Sequence, residues 1–369
     1  MRTVRRLLYA DVLGAVAFVA IAFLALFFFI DFVDELGDVT RGAYGVQHAL
    51  LFCLLEVPAH FYELVPIAVL IGGIYAMARL AQSSEFTILR TGGLGPSRAL
   101  SLLAQLGVAF ALVTFVVGDY VAPYFDAQAQ ALRAGLRGAA GSESAWLRDR
   151  RIATADESPP GERIDSINVG RVGSGGKLDD VRIYEFSADN QLLARVSAAR
   201  AQVEDRAWLL QDVRITRWQG DGSRLPVEET HAEMRWPTQL SPSVVGAAVS
   251  PLKSMSTIDL YRYVSHLSQN EQAAQRQEIQ FWKKAFYPLA CLVMMGLALP
   301  FAYLHARAGG VSVRVFGGIL LGISFVLLNN VSTHLGLLRD WTPWIAAAAP
   351  GVFYLLLSMA AFSWLVRFR

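Results

Sequence analysis

Apolar residues in this chain gather into long unbroken runs rather than the short periodic stripes of a soluble fold. Val12 to Ile30, Ala99 to Gly118 and Ala285 to Leu304 contain no charge. Val315 to Leu338 and Trp341 to Val366 are longer and are parted only by Arg339 and Asp340. A helix needs roughly 20 mostly apolar residues to cross about 30 Å of bilayer hydrocarbon, and each run meets that length. A sixth run, Val57 to Ala78, holds Glu63, and its charge-free part is Leu64 to Ala78. It counts as a span with Glu63 near the interface, because spans one and three would otherwise be joined with the wrong parity. The pattern predicts six transmembrane helices, the last two forming a tight helical hairpin.

Between the third and fourth runs the period changes. From about Trp146 to Trp236, charges, Gly and Pro appear and short stretches alternate with period two, as in Val181-Arg182-Ile183-Tyr184-Glu185-Phe186 and Val213-Arg214-Ile215-Thr216-Arg217-Trp218. Turn clusters at 158–161, 173–176 and 220–222 punctuate them. Many short strands at this spacing read as a sandwich or jelly roll. Ile258 to Gln280 then reads as an amphipathic helix leading into span four. The expected fold class is an α-helical membrane protein of six transmembrane helices with an inserted, all-β, jellyroll-like domain. Spans one to three fall within 1–125, with a short helix at about 83–92; the β domain covers 140–250; the linker helix and spans four to six cover 256–369.

Composition sharpens this. Hydrophobic residues make up 54% of the 369 and charged ones 17%, below the roughly 25% usual in soluble domains. The formal net charge is +2, which gives no basis for a nucleic-acid partner. Cys53 and Cys291 lie in or beside apolar runs and form neither a disulfide framework nor a metal knuckle. The first apolar run is as long as a spanning helix and no small-residue cleavage site follows it, so it reads as a retained span rather than a signal peptide. With the N-terminus in the cytoplasm, the inside segments carry Arg2, Arg5, Arg6, Arg79, Arg90, Arg98, Arg307, Arg314, Arg367 and Arg369; the short outside loops carry only Arg41 and Arg339. The positive-inside rule then puts both termini in the cytoplasm and the β domain outside it. Lys283 and Lys284, at the outer end of span four, run against the trend and are expected to snorkel to headgroups or meet an anion.

Chemistry is sparse. The Gly176-Lys177 pair lacks the Gly six positions before Lys and the following Ser or Thr that a phosphate-binding loop needs; Arg171 and Leu178 stand there. The six histidines are scattered without ligand spacing, and there is no nucleophile elbow. A non-catalytic chain with no cofactor and no metal is expected. Asp31, Asp34, Glu35 and Asp38 read as a solvated acidic loop after span one. Glu63 and Asp119 read as wet helix ends, and Asn329-Asn330, which lies deeper, as a source of interhelical hydrogen bonds. Gly318-x-x-x-Gly322 permits close helix approach.

The most informative loop joins spans two and three. Ser84 suits a helix start, and Glu85 in the first turn suits the positive end of the dipole. Phe86, Ile88 and Leu89 give it apolar groups to bury, Gly92-Gly93 stops it and Pro96 opens the next helix. Spacing alone leaves two readings open: a helix lying on the membrane, or one docking into a groove of a cytoplasmic partner.

At this loop the chain resembles the LptF/LptG permease family of the lipopolysaccharide export ABC transporter. Phe32-Val33-Asp34-Glu35-Leu36 looks like the family's FVD-x-L, Leu80-Ala81-Gln82-Ser83-Ser84-Glu85 like its LAQ-x-SE coupling segment, and Gly118-Asp119-Tyr120-Val121-Ala122-Pro123 like its G-acidic-aromatic-VAP ending of span three. The first two lean toward the LptG side of the family, and the likeness runs the whole chain. The resemblance implies a bacterial inner-membrane permease with a periplasmic β-jellyroll. It would pair with an LptF-like permease subunit, an LptB-like ATPase dimer below and an LptC-like membrane-anchored protein beside it, and extract lipopolysaccharide toward a periplasmic bridge. It also implies that Ser84, Glu85, Phe86, Leu89 and Arg90 form the ATPase-coupling helix, and that Arg133, with Arg137, meets lipid phosphates. The sequence departs at Asp31, where family members often carry a phosphate-binding Lys; part of that site is then built differently. Two other readings remain open at this stage: a permease for another lipid or lipoprotein, and a membrane-anchored scaffold or sensor. The short cytoplasmic segments leave no output domain for a sensor.

Overall fold

The computed structural model describes residues 2–37, 39, 45–137, 145–152, 161–172, 177–204, 207–218, 226–238, 240–241, 244–245, 252, 254–269, 274–303 and 310–367. Two compact units result, one from 1–133 with 278–369, the other from 134–277.

The first unit is helical. Helices α1 (Arg2–Leu36), α2 (Val46–Gln82), the short α3 (Glu85–Thr91) and α4 (Pro96–Val116) come first. A π-turn, Val117–Val121, runs directly into α5 (Ala122–Arg137). After the β domain come α6 (Thr257–Gln269), which belongs to the second unit, α7 (Gln275–Ala298) with a 3-10 turn at Leu299–Tyr303, α8 (Val311–Leu338) and α9 (Pro343–Arg367). Among the described residues, six helices are long and apolar enough to cross a membrane. Each coincides with a predicted run; spans one to three extend well past theirs, since helix geometry tolerates charges that an apolar window rejects, whereas span six, Pro343–Trp364, lies inside its run.

Span two is the interior helix. Its apolar window is 78% buried, against 17% for span one and 22% for span three. A helix apolar on all sides has nowhere else to go. Its contacts are close because glycines remove side chains at the crossings. A Cβ on Gly72 would lie 2.6 Å from Val16 Cα of α1. On α8, Cβ atoms at Gly318 and Gly322 would lie 2.8 Å from Ile74 Cδ1 and 2.9 Å from Ile67 Cγ2, so the predicted small-residue pair seats two side chains of α2. Gly118 in the π-turn leaves room for the Tyr62 ring, which a Cβ there would overlap. Because Val16 opposes Gly72 with backbone, Gly72→Ala is expected to cost about 1–3 kcal/mol. Thermal unfolding of the purified chain checks this against Gly14→Ala on α1, where no atom lies within 4 Å of the new methyl. Equal melting of the two variants would show that the α1–α2 crossing tolerates the methyl.

Several polar expectations change. Asp31, Asp34 and Glu35 sit on the last turns of α1 rather than in a solvated loop, because the helix continues to Leu36; Asp38 lies outside the described residues. Asp119 is buried within the π-turn instead of standing at a wet helix end, since α4, the turn and α5 form one uninterrupted rod. Asn329 donates to the carbonyl of Phe325 one turn back in its own helix, so its observed bond is intrahelical. The linker helix is two elements, α6 and α7, and the residues between 269 and 274 lie outside the description.

The second unit holds a six-stranded antiparallel sheet in sequence order: β1 (Ala145–Ile152), β2 (Glu162–Val172), β3 (Lys177–Ser187), β4 (Leu192–Val203), β5 (Ala207–Arg217) and β6 (Val227–Pro237). Every neighbouring pair is a hairpin pair, so this is an up-and-down meander. Ile167, Val169, Val181, Ile183, Val196, Val213 and Ile215 fill its core with Trp208 and Leu210. The period-two rule slips once, in the same row of successive strands. Leu178 and Val181 are both buried, as are Ala198 and Ala201, and Leu210 and Val213. The pairing skips Gly170, Asp180, Ala199, Asp212 and Ala232. Asp180 and Asp212 take left-handed φ values of 50° and 55°, a conformation Asp tolerates better than bulky residues. One extra residue per strand keeps the same face inward on both sides of the row and bends the sheet there.

Candidate functional site

Two sites were expected, and the structure describes most of each. The first is α3. Ser84 occupies the N-cap position, but in a left-handed conformation at φ 61° and with no side-chain cap bond. It makes a sharp turn out of α2 rather than capping through its hydroxyl. Glu85 is in the first turn and Arg90 in the last. Gly92 and Gly93, the latter at φ 97°, end the helix, and Pro96 opens α4. Phe86 is the anchor. It is buried, and its ring meets that of Tyr303 edge-on at 4.9 Å between centroids. Leu89 is half-buried against the same core. Ile88, expected to be buried with them, is 67% exposed, because Phe86 and Leu89 already set which face turns inward. The outward face therefore presents Glu85, Ile88 and Arg90: a carboxylate, an apolar side chain and a guanidinium on a helix clamped from behind.

The second site lies where α1 and α5 end beside the start of α2. Arg133 Nη2 is 2.6 Å from Glu35 Oε2. Its guanidinium carbon is 4.0 Å from the centroid of the Phe52 ring, a cation–π contact. Glu35 is almost fully buried, so this ion pair is not a loose surface contact. The partner is Glu35 because α1 runs antiparallel to α2 and carries its last turn to the same height. Arg133 Nε is closed to solvent and makes no hydrogen bond among the described residues. Arg137 ends α5 one turn further on, with its side chain outside the description.

One turn below, in the direction of the helix interior, Asp31 Oδ2 lies 2.7 Å from His60 Nε2. His60 stacks beside Phe27 at 5.4 Å between centroids. Glu56 stands one turn from His60 on α2 and joins the same group. Sequence reasoning missed it. The signal available was Glu56 and His60 at i,i+4, which places both side chains on one helix face. Nearby, Lys284 Nζ sits 5.9 Å from the centroid of the Tyr62 ring, and the Tyr287 hydroxyl donates to the Glu63 carbonyl. The lysine expected to reach headgroups is thus set against the bundle.

Comparison with known proteins bears on the chain as a whole. The family described as "Lipopolysaccharide export system permease LptF/LptG" matches residues 6–365. The lipopolysaccharide export system permease protein LptG of Haemophilus influenzae is 28% identical over 339 residues, 90% of each chain. LptG of Escherichia coli K12 is 28% identical over 337 residues, 89% of each chain.

Proposed function

Because the chain belongs to the LptF/LptG family of lipopolysaccharide export system permeases, we propose that it is the LptG-like half of an ABC transporter in the bacterial inner membrane, lifting lipopolysaccharide from the outer leaflet and passing it along its periplasmic β domain toward the outer membrane. The carrying observation is the family match over nearly the whole chain, joined to the Arg133 site at the end of the apolar spans. The chain has no phosphate-binding loop at Lys177, so hydrolysis falls to a soluble LptB-like ATPase dimer docked on α3. An LptF-like permease faces it across the cavity, and an LptC-like membrane-anchored protein stands beside it.

The physical logic runs from the apolar faces. Phe18, Ile21 and Phe29 of α1 and Phe316, Leu320, Ile323 and Leu327 of α8 are exposed on the single chain. Such faces suit acyl chains or a second permease. Drawing acyl chains out of a bilayer costs about 0.8 kcal/mol for each CH₂ that loses its apolar surroundings. A cavity that stays apolar lowers that cost, and ATP-driven closure supplies the rest. At the cavity's outer end Arg133 offers a planar fork to a lipid phosphate. One arm already holds Glu35, and the side chain is still 38% exposed.

The test is Arg133→Glu in the assembled transporter. It should lower both the lipopolysaccharide that copurifies and its transport, while leaving assembly and basal ATP hydrolysis intact. Arg133→Lys keeps charge but loses the fork and should fall between. Wild-type lipid loading in Arg133→Glu would confine Arg133 to its pair with Glu35.

A further inference from the structure

We propose that Asp31, Glu56 and His60 form a binding site for a divalent cation of the zinc or manganese class. Each offers one ligand atom, and these atoms all lie within 4.8 Å of one another. Small side-chain rotations bring three bonds of about 2.0–2.2 Å onto one ion from that spacing. Two carboxylate oxygens and one imidazole nitrogen are the donor set of zinc and manganese, whereas magnesium and calcium prefer oxygen alone. Three protein ligands leave coordination positions open.

Two further observations favour a cation over a simple ion pair. Asp31 Oδ2 and His60 Nε2 approach to 2.7 Å, both are closed to solvent, and among the described residues neither atom makes a hydrogen bond. The charge balance is also unfavourable without a cation. Asp31 and Asp126 both act on Glu56, opposed by His60 and Arg133, and Arg133 is already bound to Glu35. Carboxylates crowded within a helix bundle are costly unless neutralised. A divalent ion on Asp31 and Glu56 neutralises both with a neutral imidazole as third ligand. The Phe27 ring beside His60 limits the orientations the imidazole can take.

The site lies one helical turn from the Arg133 rung on both α1 and α2. A bound cation therefore adds positive charge next to that guanidinium, with an open position suited to a phosphate oxygen. This last step rests on the phosphate reading of Arg133; the cation site itself does not.

The experiment uses the purified full-length chain, stripped with a chelator and dialysed against micromolar Zn²⁺ or Mn²⁺, with Mg²⁺ and Ca²⁺ in parallel. Elemental analysis should find a single Zn²⁺ or Mn²⁺ ion per chain. The ion should be lost in Asp31→Asn and Glu56→Gln, which keep side-chain shape, and in His60→Ala. Co²⁺ added to the unmodified chain should give a ligand-field spectrum that Zn²⁺ bleaches, a reading that needs no variant to fold. Absence of saturable Zn²⁺ or Mn²⁺ binding by the unmodified chain, or its retention in the three variants, overturns the site. Arg133→Glu measured alongside separates the two ideas. Lost lipid loading together with no ion binding leaves the phosphate reading standing and removes the cation; ion binding with unchanged lipid loading does the reverse.

Discussion

Arg151→Leu should destabilise the β domain by about 3–5 kcal/mol. The strand register sets three acids side by side, Asp149 opposite Asp165 and Asp165 opposite Glu185, and all three are buried. Like charges directly across a sheet repel. Arg151 holds the row together, with Nε 2.9 Å from Asp165 Oδ2, Nη2 2.8 Å from Glu185 Oε1, and its guanidinium carbon 4.9 Å from the centroid of a Trp236 ring. Arg163 reaches Glu185 at 3.4 Å, and the Trp236 indole donates to Asp165. Leucine matches the volume roughly but leaves the Asp165 charge uncompensated.

The loss should also depend on pH. Burial pushes the Asp165 carboxyl up to about 6, although Arg151 pulls it down. Without Arg151 it rises further. A carboxyl raised in the folded state contributes stability that is full below its unfolded value of about 3.9 and is lost as pH rises through the folded value. The variant should therefore suffer more at pH 7.5 than at pH 5.5. Hydrogen exchange of β1, β2 and β3 in the full-length chain reads this directly. Equal protection in variant and parent at pH 7.5 would show that Arg163 and the indole suffice.

The second large effect is expected at α3. On the proposal that α3 docks a soluble ATPase, Glu85→Arg should separate the two, and Glu85→Ala should weaken the pair less. A charge-assisted hydrogen bond in a partly buried groove contributes roughly 1.5–3 kcal/mol, about one to two decades of affinity, and reversal adds repulsion to that loss. The fold itself should be untouched, because Phe86 and Leu89, not Glu85, hold α3 to the bundle. Copurification and ATPase stimulation are the measurements. If both variants retained parental values, docking would be carried by Ile88 and Arg90 or would lie elsewhere.

The legible parts of this molecule were those where one physical signal dominates. Six spans follow from run length, since nothing but a bilayer-crossing or deeply buried helix needs so many consecutive apolar residues. The β domain follows from period two in β3 and β5. The short helix α3 was legible from Glu85 to Pro96, apart from Ile88 and the backbone at Ser84. What was not legible depends on partners distant in sequence. β1 shows no apolar alternation because its inward positions after Leu147 are Asp149 and Arg151, whose burial makes sense only beside Asp165 and Glu185. Glu35 and Arg133 are 98 positions apart, and no local pattern pairs them. Histidines treated as scattered included one, His60, that α1 and α2 bring against Asp31. Charged residues at the margins of apolar windows were assigned to loops, although α1 and α2 carry them on ordered helix faces.

The sequence-order meander also bears on how the chain is made. Each strand pairs with the one synthesised just before it, so every loop to be closed is a hairpin and contact order within the sheet is low. Such topologies pass their folding barrier quickly. Translation proceeds at about 5–20 residues per second, and β6 ends at Pro237 before α7 begins at Gln275. The sheet therefore has all its strands before the fourth span is synthesised. Its strands need no help from the C-terminal half to find their register, and the remaining spans insert behind a domain that can already have folded.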